Sequence, residues 1–354
     1  MIILKNMVLS LSKILIMKLK NILKEWMLPI AMTTGVLIYL LYHIMPEPIH
    51  RAGPILDVFV GIIQPLLIFS MLFLTFCHIE PKDLKPHRWH WWLLLIQGGF
   101  FVVLGLVAAL LNKLIPDGAD NAIVLIESAM LCFITPTATA AAVVTRKLKG
   151  DVPGITTYIV LINILTALLV PLILPIAHPS TNMDFWTSFG LIVAKVFPLL
   201  ITPCLCAWIV RYMFPRVHRK LLQYPDLAFY IWSVALTLAI AVTTKSIVHS
   251  SMHIGLLLSM AVVSLVCCIF QFSAGRYVGS RYQPRRQPEN EDVVERGRSI
   301  RTVTAGQSLG QKNTIFAIWM AYTFMTPETA IIGGFYSIWH NIYNSWQLYR
   351  SGRQ

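Results

Sequence analysis

Apolar residues run along this chain in long blocks separated by short polar joints. A hydrocarbon layer of about 30 Å is crossed by roughly 20 apolar residues in a helix. Blocks of about that length fall at residues 27–45, 52–78, 89–111, 122–145, 152–177, 185–210, 227–244, 254–277, 303–324 and 328–349. Joints such as 80–87 and 147–151 are short and charged. The pattern predicts an all-α membrane protein of ten transmembrane helices.

Two blocks are interrupted. In the fourth, Pro136 sits among Thr135, Thr137 and Thr139 at mid-block; in the ninth, Gly306 and Gly310 are interleaved with Gln307, Ser308, Gln311, Lys312 and Asn313. Proline removes a backbone donor and glycine weakens helical continuity. Unwound backbone at membrane depth is tolerated only where protein or a water-filled cavity satisfies it. The interruptions fall in the fourth block of the first five and the fourth of the second five. Five is odd, so the second set enters the membrane reversed. This predicts inverted five-helix repeats with crossed broken helices 4 and 9, the layout of secondary transporters that bind cargo near the midplane. The predicted divisions are a basic segment 1–26, a first repeat 27–177 and a second repeat 185–349, with a flexible cytoplasmic loop at 283–299.

Composition agrees. Hydrophobic residues make up 56% of the 354 positions and charged residues 13%, against about 25% charged in soluble domains. The net charge of +13 would suggest nucleic acid in a soluble protein, but position matters more. With ten spans and an inside N-terminus, nearly all Lys and Arg fall in cytoplasmic joints and tails. Only Arg51, Lys113 and Lys245 lie outside, with Lys195 and Lys312 inside spans. That asymmetry predicts cytoplasmic N- and C-termini and no nucleic-acid partner. Residues 1–26, with Lys among Ile, Leu and Met, read as an amphipathic helix on the inner leaflet. His87, Trp89, His90, Trp91 and Trp92 read as an interfacial belt.

Some chemistry is excluded. The six cysteines lie in apolar blocks without zinc spacing, which predicts no metal site. No phosphate-binding glycine loop and no paired-histidine protease motif occurs, so an enzyme is not expected. What stands out is charge at membrane depth, where a charged side chain costs at least about 2.5–3.5 kcal/mol. Counted from Arg301, Lys312 lies about 16 Å into its span; Lys195 is about 15 Å deep counted from Phe185. Glu127 and Asp57 are the candidate acidic partners, and a lysine snorkelling from a misplaced span is the plain alternative.

Three stretches resemble the bile acid:sodium symporter family, particularly its bacterial members. They are Pro136-Thr137-Ala138-Thr139-Ala140-Ala141 with the downstream Lys147-Leu148-Lys149-Gly150-Asp151-Val152, Arg301-Thr302-Val303-Thr304 leading into the second interruption, and Phe335-Tyr336-Ser337-Ile338-Trp339-His340-Asn341 in the last block. Pro86 and Gln97 also fit. The resemblance implies a core of spans three to five and eight to ten, with a panel of spans one, two, six and seven. It implies an organic-anion cargo, small or amphipathic, carried by alternating access. Cargo contacts are expected from Thr137, Thr139, Gln307, Ser308, Gln311, Lys312, His340 and Asn341. Ion coupling is expected to involve Lys312, Gln97, Lys195 and Glu127.

The sequence departs from the family where sodium is held, with Ala141, Ala142 and Gly306 at positions that carry a hydroxyl, an amide and a carboxylate in the family. Sodium, a hard cation, wants oxygen ligands. A proton-coupled carrier or a uniporter is therefore expected, with no cofactor beyond a coupling Na+ or H+. The alternatives are a sodium symporter with rearranged ligands, for example backbone carbonyls with Thr139 and Asn313, and a non-transporting membrane sensor or scaffold. The expected location is the cell inner membrane, in contact with the lipid bilayer. Cargo identity and oligomeric state are not specified by these residues.

Overall fold

A computed structural model describes residues 27–46, 53–115, 120–179, 183–224, 226–250, 252–282 and 291–351. The basic segment 1–26 lies outside these residues. In chain order the helices are α1 (Met27–Ile44), α2 (Gly53–Cys77), α3 (Arg88–Leu114), α4 (Asp120–Ile134), α5 (Ala140–Lys147), α6 (Val152–Ala177) and α7 (Phe185–Leu200). They continue with α8 (Thr202–Met213), α9 (Pro215–Leu222), α10 (Leu227–His249), α11 (Ile254–Arg281), α12 (Glu291–Gly310), α13 (Thr314–Phe324) and α14 (Pro327–Ser351). Among the described residues no strand forms beyond one isolated bridge.

Among the described residues six helical stretches are long and apolar enough to cross a membrane: α2, α3, α6, α7 with α8, α10 and α11. Their exposed faces are the apolar ones. On α2 the exposed residues include Ile55, Val58, Phe59, Ile62 and Leu66, with Asp57 the one exposed charge near its start, whereas Gln64 is buried. On α11, Leu258, Val262, Val266 and Ile269 face outward while Ser264 and Gln271 are buried. Apolar side chains outside and polar ones inside is the arrangement lipid requires, because hydrocarbon offers polar groups no partner.

Two groups of helices emerge from packing. One comprises α3, α4, α6, α11, α12 and α14; the other comprises α1, α2, α7, α8 and α10. They meet where α6 packs on α7 and α10 packs on α13 and α14. Within the first group α11 and α12 come unusually close. A Cβ on Gly275 would lie 2.4 Å from the Ala305 carbonyl oxygen, and one on Gly279 would lie 2.4 Å from that of Arg301. Two glycines one turn apart let backbones touch, which is how helices associate without a hydrophobic driving force.

Three local expectations are corrected. The polar stretch 283–299 is not a linker throughout: α12 begins at Glu291, since Pro288 is the last proline of that stretch and no proline follows before Pro327 to block helical bonding. Residues 283–290 lie outside the described residues. The sixth apolar block is divided at Ile201, because Pro203 opens α8 at a position where its missing N–H costs nothing. The aromatic belt is only partly interfacial. Trp91 and Trp92 are exposed, but Trp89 and His90 are buried. His90 Nδ1 accepts the backbone N–H of His87 at 2.7 Å, and its Nε2 lies 2.9 Å from the Gly154 carbonyl, tying α3 to α6.

Candidate functional site

The site begins with two helix ends. α4 stops at Ile134, two residues ahead of Pro136, because a residue preceding proline is pushed out of the helical region. α12 stops at Gly310, and α13 restarts after Asn313, whose Oδ1 accepts the Phe316 N–H at 3.3 Å as an N-cap. Between these ends lie two unwound stretches, and they cross. Thr137 and Lys312 form an antiparallel bridge; the Ala138 N–H donates to the Gln311 carbonyl at 2.9 Å and the Asn313 N–H to the Pro136 carbonyl at 2.8 Å.

A helix end leaves carbonyls without internal partners, and here neighbouring helices and the opposite break supply the donors. On the first break, Gln271 Nε2 donates to the Cys132 carbonyl (3.2 Å), Lys312 Nζ to Phe133 (3.3 Å), Thr166 Oγ1 to Ile134 (3.0 Å) and Gln97 Nε2 to Thr135 (3.0 Å). On the second, Thr137 Oγ1 donates to the Ser308 carbonyl (2.6 Å) and Tyr336 Oη to Gly310 (2.8 Å). Gln97 is itself held by Tyr158, whose hydroxyl donates to Gln97 Oε1 at 2.8 Å. An unpaired carbonyl in hydrocarbon would cost several kcal/mol, so this set of donors is what permits two breaks at depth.

Lys312 is 1% exposed, which excludes snorkelling. Its ammonium end points at the C-terminal end of α4, the negative end of a helix dipole. Neither expected carboxylate reaches it. Glu127 is bonded to His178 Nδ1 at 2.8 Å, and Asp57 forms an ion pair with Lys245. Glu127 sits midway along α4, about two turns before the break. Lys195 is not part of the crossing either: it is exposed on α7, with Nζ 5.5 Å from the centre of the Phe324 ring. Beside Lys312 a cavity of about 10 Å3 is lined by Leu131, Thr135, Ala317 and Tyr336, among others. That is about enough for one water molecule.

Next to the crossing runs a polar seam between α12 and α14. Gln307 Nε2 donates to Asn344 Oδ1 (3.0 Å) and to Gln347 Oε1 (2.7 Å). Gln311 and His340 are buried along the same pair of helices. Gln307 Oε1, Ser308 Oγ, Gln311 Oε1, Asn313 Nδ2, His340 Nδ1 and Asn344 Nδ2 have no hydrogen-bond partner among the described residues. Of the expected cargo residues, Thr137, Gln307, Ser308, Gln311, Lys312 and His340 thus gather at the crossing or its seam. Thr139 is buried just past the first break and starts α5 without capping it through its side chain. Asn341 turns back on its own helix, its Nδ2 2.7 Å from the Ser337 carbonyl.

Sequence reasoning missed Thr135, Tyr158, Thr166, Gln271, Tyr336, Asn344 and Gln347 as members of this set. The spacing of His340, Asn344 and Gln347 on one face of a span was the available signal for the seam. Nothing local marks Tyr158 or Gln271.

At the positions where the family resemblance places sodium ligands, Ala141, Ala142 and Gly306 bring no side-chain oxygen, and both ends of the Gln97 amide are hydrogen-bonded within the protein. Asn313 Oδ1 caps α13.

Lipid-facing helices around two broken helices that cross in the interior define a multi-pass membrane protein of the transporter class. The sodium bile acid symporter family model matches residues 65–252, more than half of the chain, and the chain belongs to that family. It is accordingly a membrane transporter of the bile-acid and organic-anion kind and not an enzyme. No curated protein matches the chain. The matched stretch contains the first break and Gln97 but ends before α11, so Lys312 and the seam rest on geometry.

Proposed function

We propose that this chain carries an organic anion, small or amphipathic, across the cell inner membrane by alternating access without sodium coupling, as a proton-coupled carrier or a uniporter. The observation that carries the reading is the crossing itself: two breaks joined by backbone bonds, with a buried lysine at their meeting point. Cargo carboxylate or sulfonate would be met by Lys312, with Thr137, Thr139 and the unpartnered polar atoms of Gln307, Ser308, Gln311 and His340 supplying neutral contacts. Asn341 would take part only after leaving its bond to Ser337. Gln97 holds the first break in shape. Glu127 and Lys195 lie away from the crossing, and their coupling role is supported by nothing beyond the sequence.

Ten spans follow if α4 with α5, α7 with α8 and α12 with α13 each count once and α9, only 8 residues long, counts as none. The repeats are then 27–177 and 185–349, broken helices are fourth in each, and both termini are cytoplasmic as the basic joints suggest. The two packing groups would be the core and the panel, one rocking against the other around the crossing.

Uptake by proteoliposomes tests this. Labelled bile acids and short carboxylates should accumulate under a pH gradient, or equilibrate without any, and a sodium gradient at fixed pH and voltage should add nothing. Stimulation by that sodium gradient would overturn the coupling in favour of rearranged sodium ligands.

A further inference from the structure

At one end of the helix bundle α3 and α11 enclose a cleft of about 580 Å3. It shares no residue with the crossing. Polarity changes along it in order. Arg88 is the first residue of α3 and Arg281 the last of α11, so two guanidiniums flank the mouth. Below Arg88 come Trp92 and then Ile96 along α3, and below Arg281 come Val278 and Tyr277 and then Ala274 along α11; Trp92 and Tyr277 are well exposed. On α3 the series Arg88, Trp92, Ile96 repeats every four residues, which keeps it on one face and spans about 12 Å.

Among the described residues the charge of the cleft has one sign, and none of those lining it is acidic. Among the described residues neither Arg88 nor Arg281 forms a salt bridge, although Arg281 rests 5.3 Å from the Tyr277 ring centre. Arg301 adds a third cation nearby, 5.9 Å from the ring of Tyr282. Guanidiniums match phosphate oxygens in a forked, two-bond geometry. Basic pockets between membrane helices are suited to anionic headgroups. A molecule with a phosphate at one end and hydrocarbon at the other follows this gradient from mouth to floor.

We propose that the cleft is a binding site for an anionic phospholipid, its phosphate between Arg88 and Arg281 and its acyl chains along Trp92, Ile96, Ala274 and Val278. The same helices carry Gln97 and Gln271, whose amides hold the first break's carbonyls. A lipid bridging α3 and α11 therefore braces the frame of the crossing and raises its stability.

The test uses the purified full chain in detergent with added phosphatidylglycerol or phosphatidylcholine, read by native mass spectrometry and by melting temperature. Phosphatidylglycerol should be retained and should raise the melting temperature, and phosphatidylcholine should do neither. The double variant Arg88→Gln with Arg281→Gln should retain at least tenfold less phosphatidylglycerol. Ala274→Trp, which fills the cleft and leaves both charges in place, should do the same and covers the case in which the double variant misfolds. Equal retention of both lipids, or undiminished phosphatidylglycerol on folded variants, overturns the proposal. Displacement of phosphatidylglycerol by a transported bile acid, one for one, overturns the assigned occupant. None of these readouts depends on uptake, so they stand apart from the transport reading.

Discussion

Replacing Lys312 by Met separates a functional charge from a structural one. The Lys312 side chain makes one hydrogen bond, 3.3 Å to the Phe133 carbonyl, and the residue is 1% exposed with no carboxylate paired to it among the described residues. Removing the donor leaves that carbonyl unpaired, a loss of about 1–3 kcal/mol. Removing the charge relieves a burial cost of at least about 2.5–3.5 kcal/mol. Methionine is unbranched and similar in length, so little cavity is left. The terms nearly cancel or favour the variant, and its melting temperature should be unchanged or raised by a few degrees. Uptake per reconstituted protein should nevertheless fall at least tenfold, because the cargo's anionic group loses its counter-charge. Lys312→Gln, which can still donate to the Phe133 carbonyl, should be as inactive as the Met variant. Both quantities are measurable on one preparation, by thermal unfolding in detergent and by uptake in proteoliposomes. Wild-type uptake in the Met variant would refute the reasoning. So would a melting temperature far below wild type, which would make Lys312 a brace for the end of α4 and nothing more.

Thr137→Val removes the donor to the Ser308 carbonyl, 171 positions away, and should lower stability by about 1–3 kcal/mol, since the carbonyl stays buried; thermal unfolding reads it. Gly310→Ala places a Cβ 2.4 Å from the ring of Phe272, which is itself 2% exposed. It should therefore reduce both stability and uptake, and combining it with Phe272→Leu should restore part of each. His178, just beyond α6, is held above the usual imidazole range by its hydrogen bond to Glu127, with the carboxylate's charge adding and burial opposing. A raised folded-state pKa stabilises fully below the ordinary value of 6.5 and loses that contribution as pH rises through the folded value. Melting temperature should therefore fall as pH rises above 6.5, and Glu127→Gln should flatten that slope.

Much of this fold was legible along the chain. Apolar blocks give helices wherever about 20 residues must satisfy their own backbone in lipid, and the ends of α1, α2, α3 and α6 fall within a few residues of those blocks. The breaks were legible because proline and glycine act on their own backbone: Pro136 ends α4 whatever packs against it, and Gly310 followed by Asn313 spells an end and a new cap. The split at Ile201 was legible in principle, since Pro198 and Pro203 both lie in that block, but apolarity alone concealed it.

Partnership was not legible. Glu127 and Lys312 look like natural mates in a sequence that has 16 acidic residues in all, yet His178 takes the first and a carbonyl takes the second. Lys195 carries the same chemistry as Lys312 and faces outward. Composition and periodicity are properties of a single helix, so the sequence by itself determined that lipid is the solvent, where helices run and where two of them fail. Which failures meet, and which distant amide, hydroxyl or ammonium closes each freed carbonyl, depends on how helices cross in three dimensions. Only the tertiary structure decided that, because a helix reports its own face and period but not the helix that will lie against it.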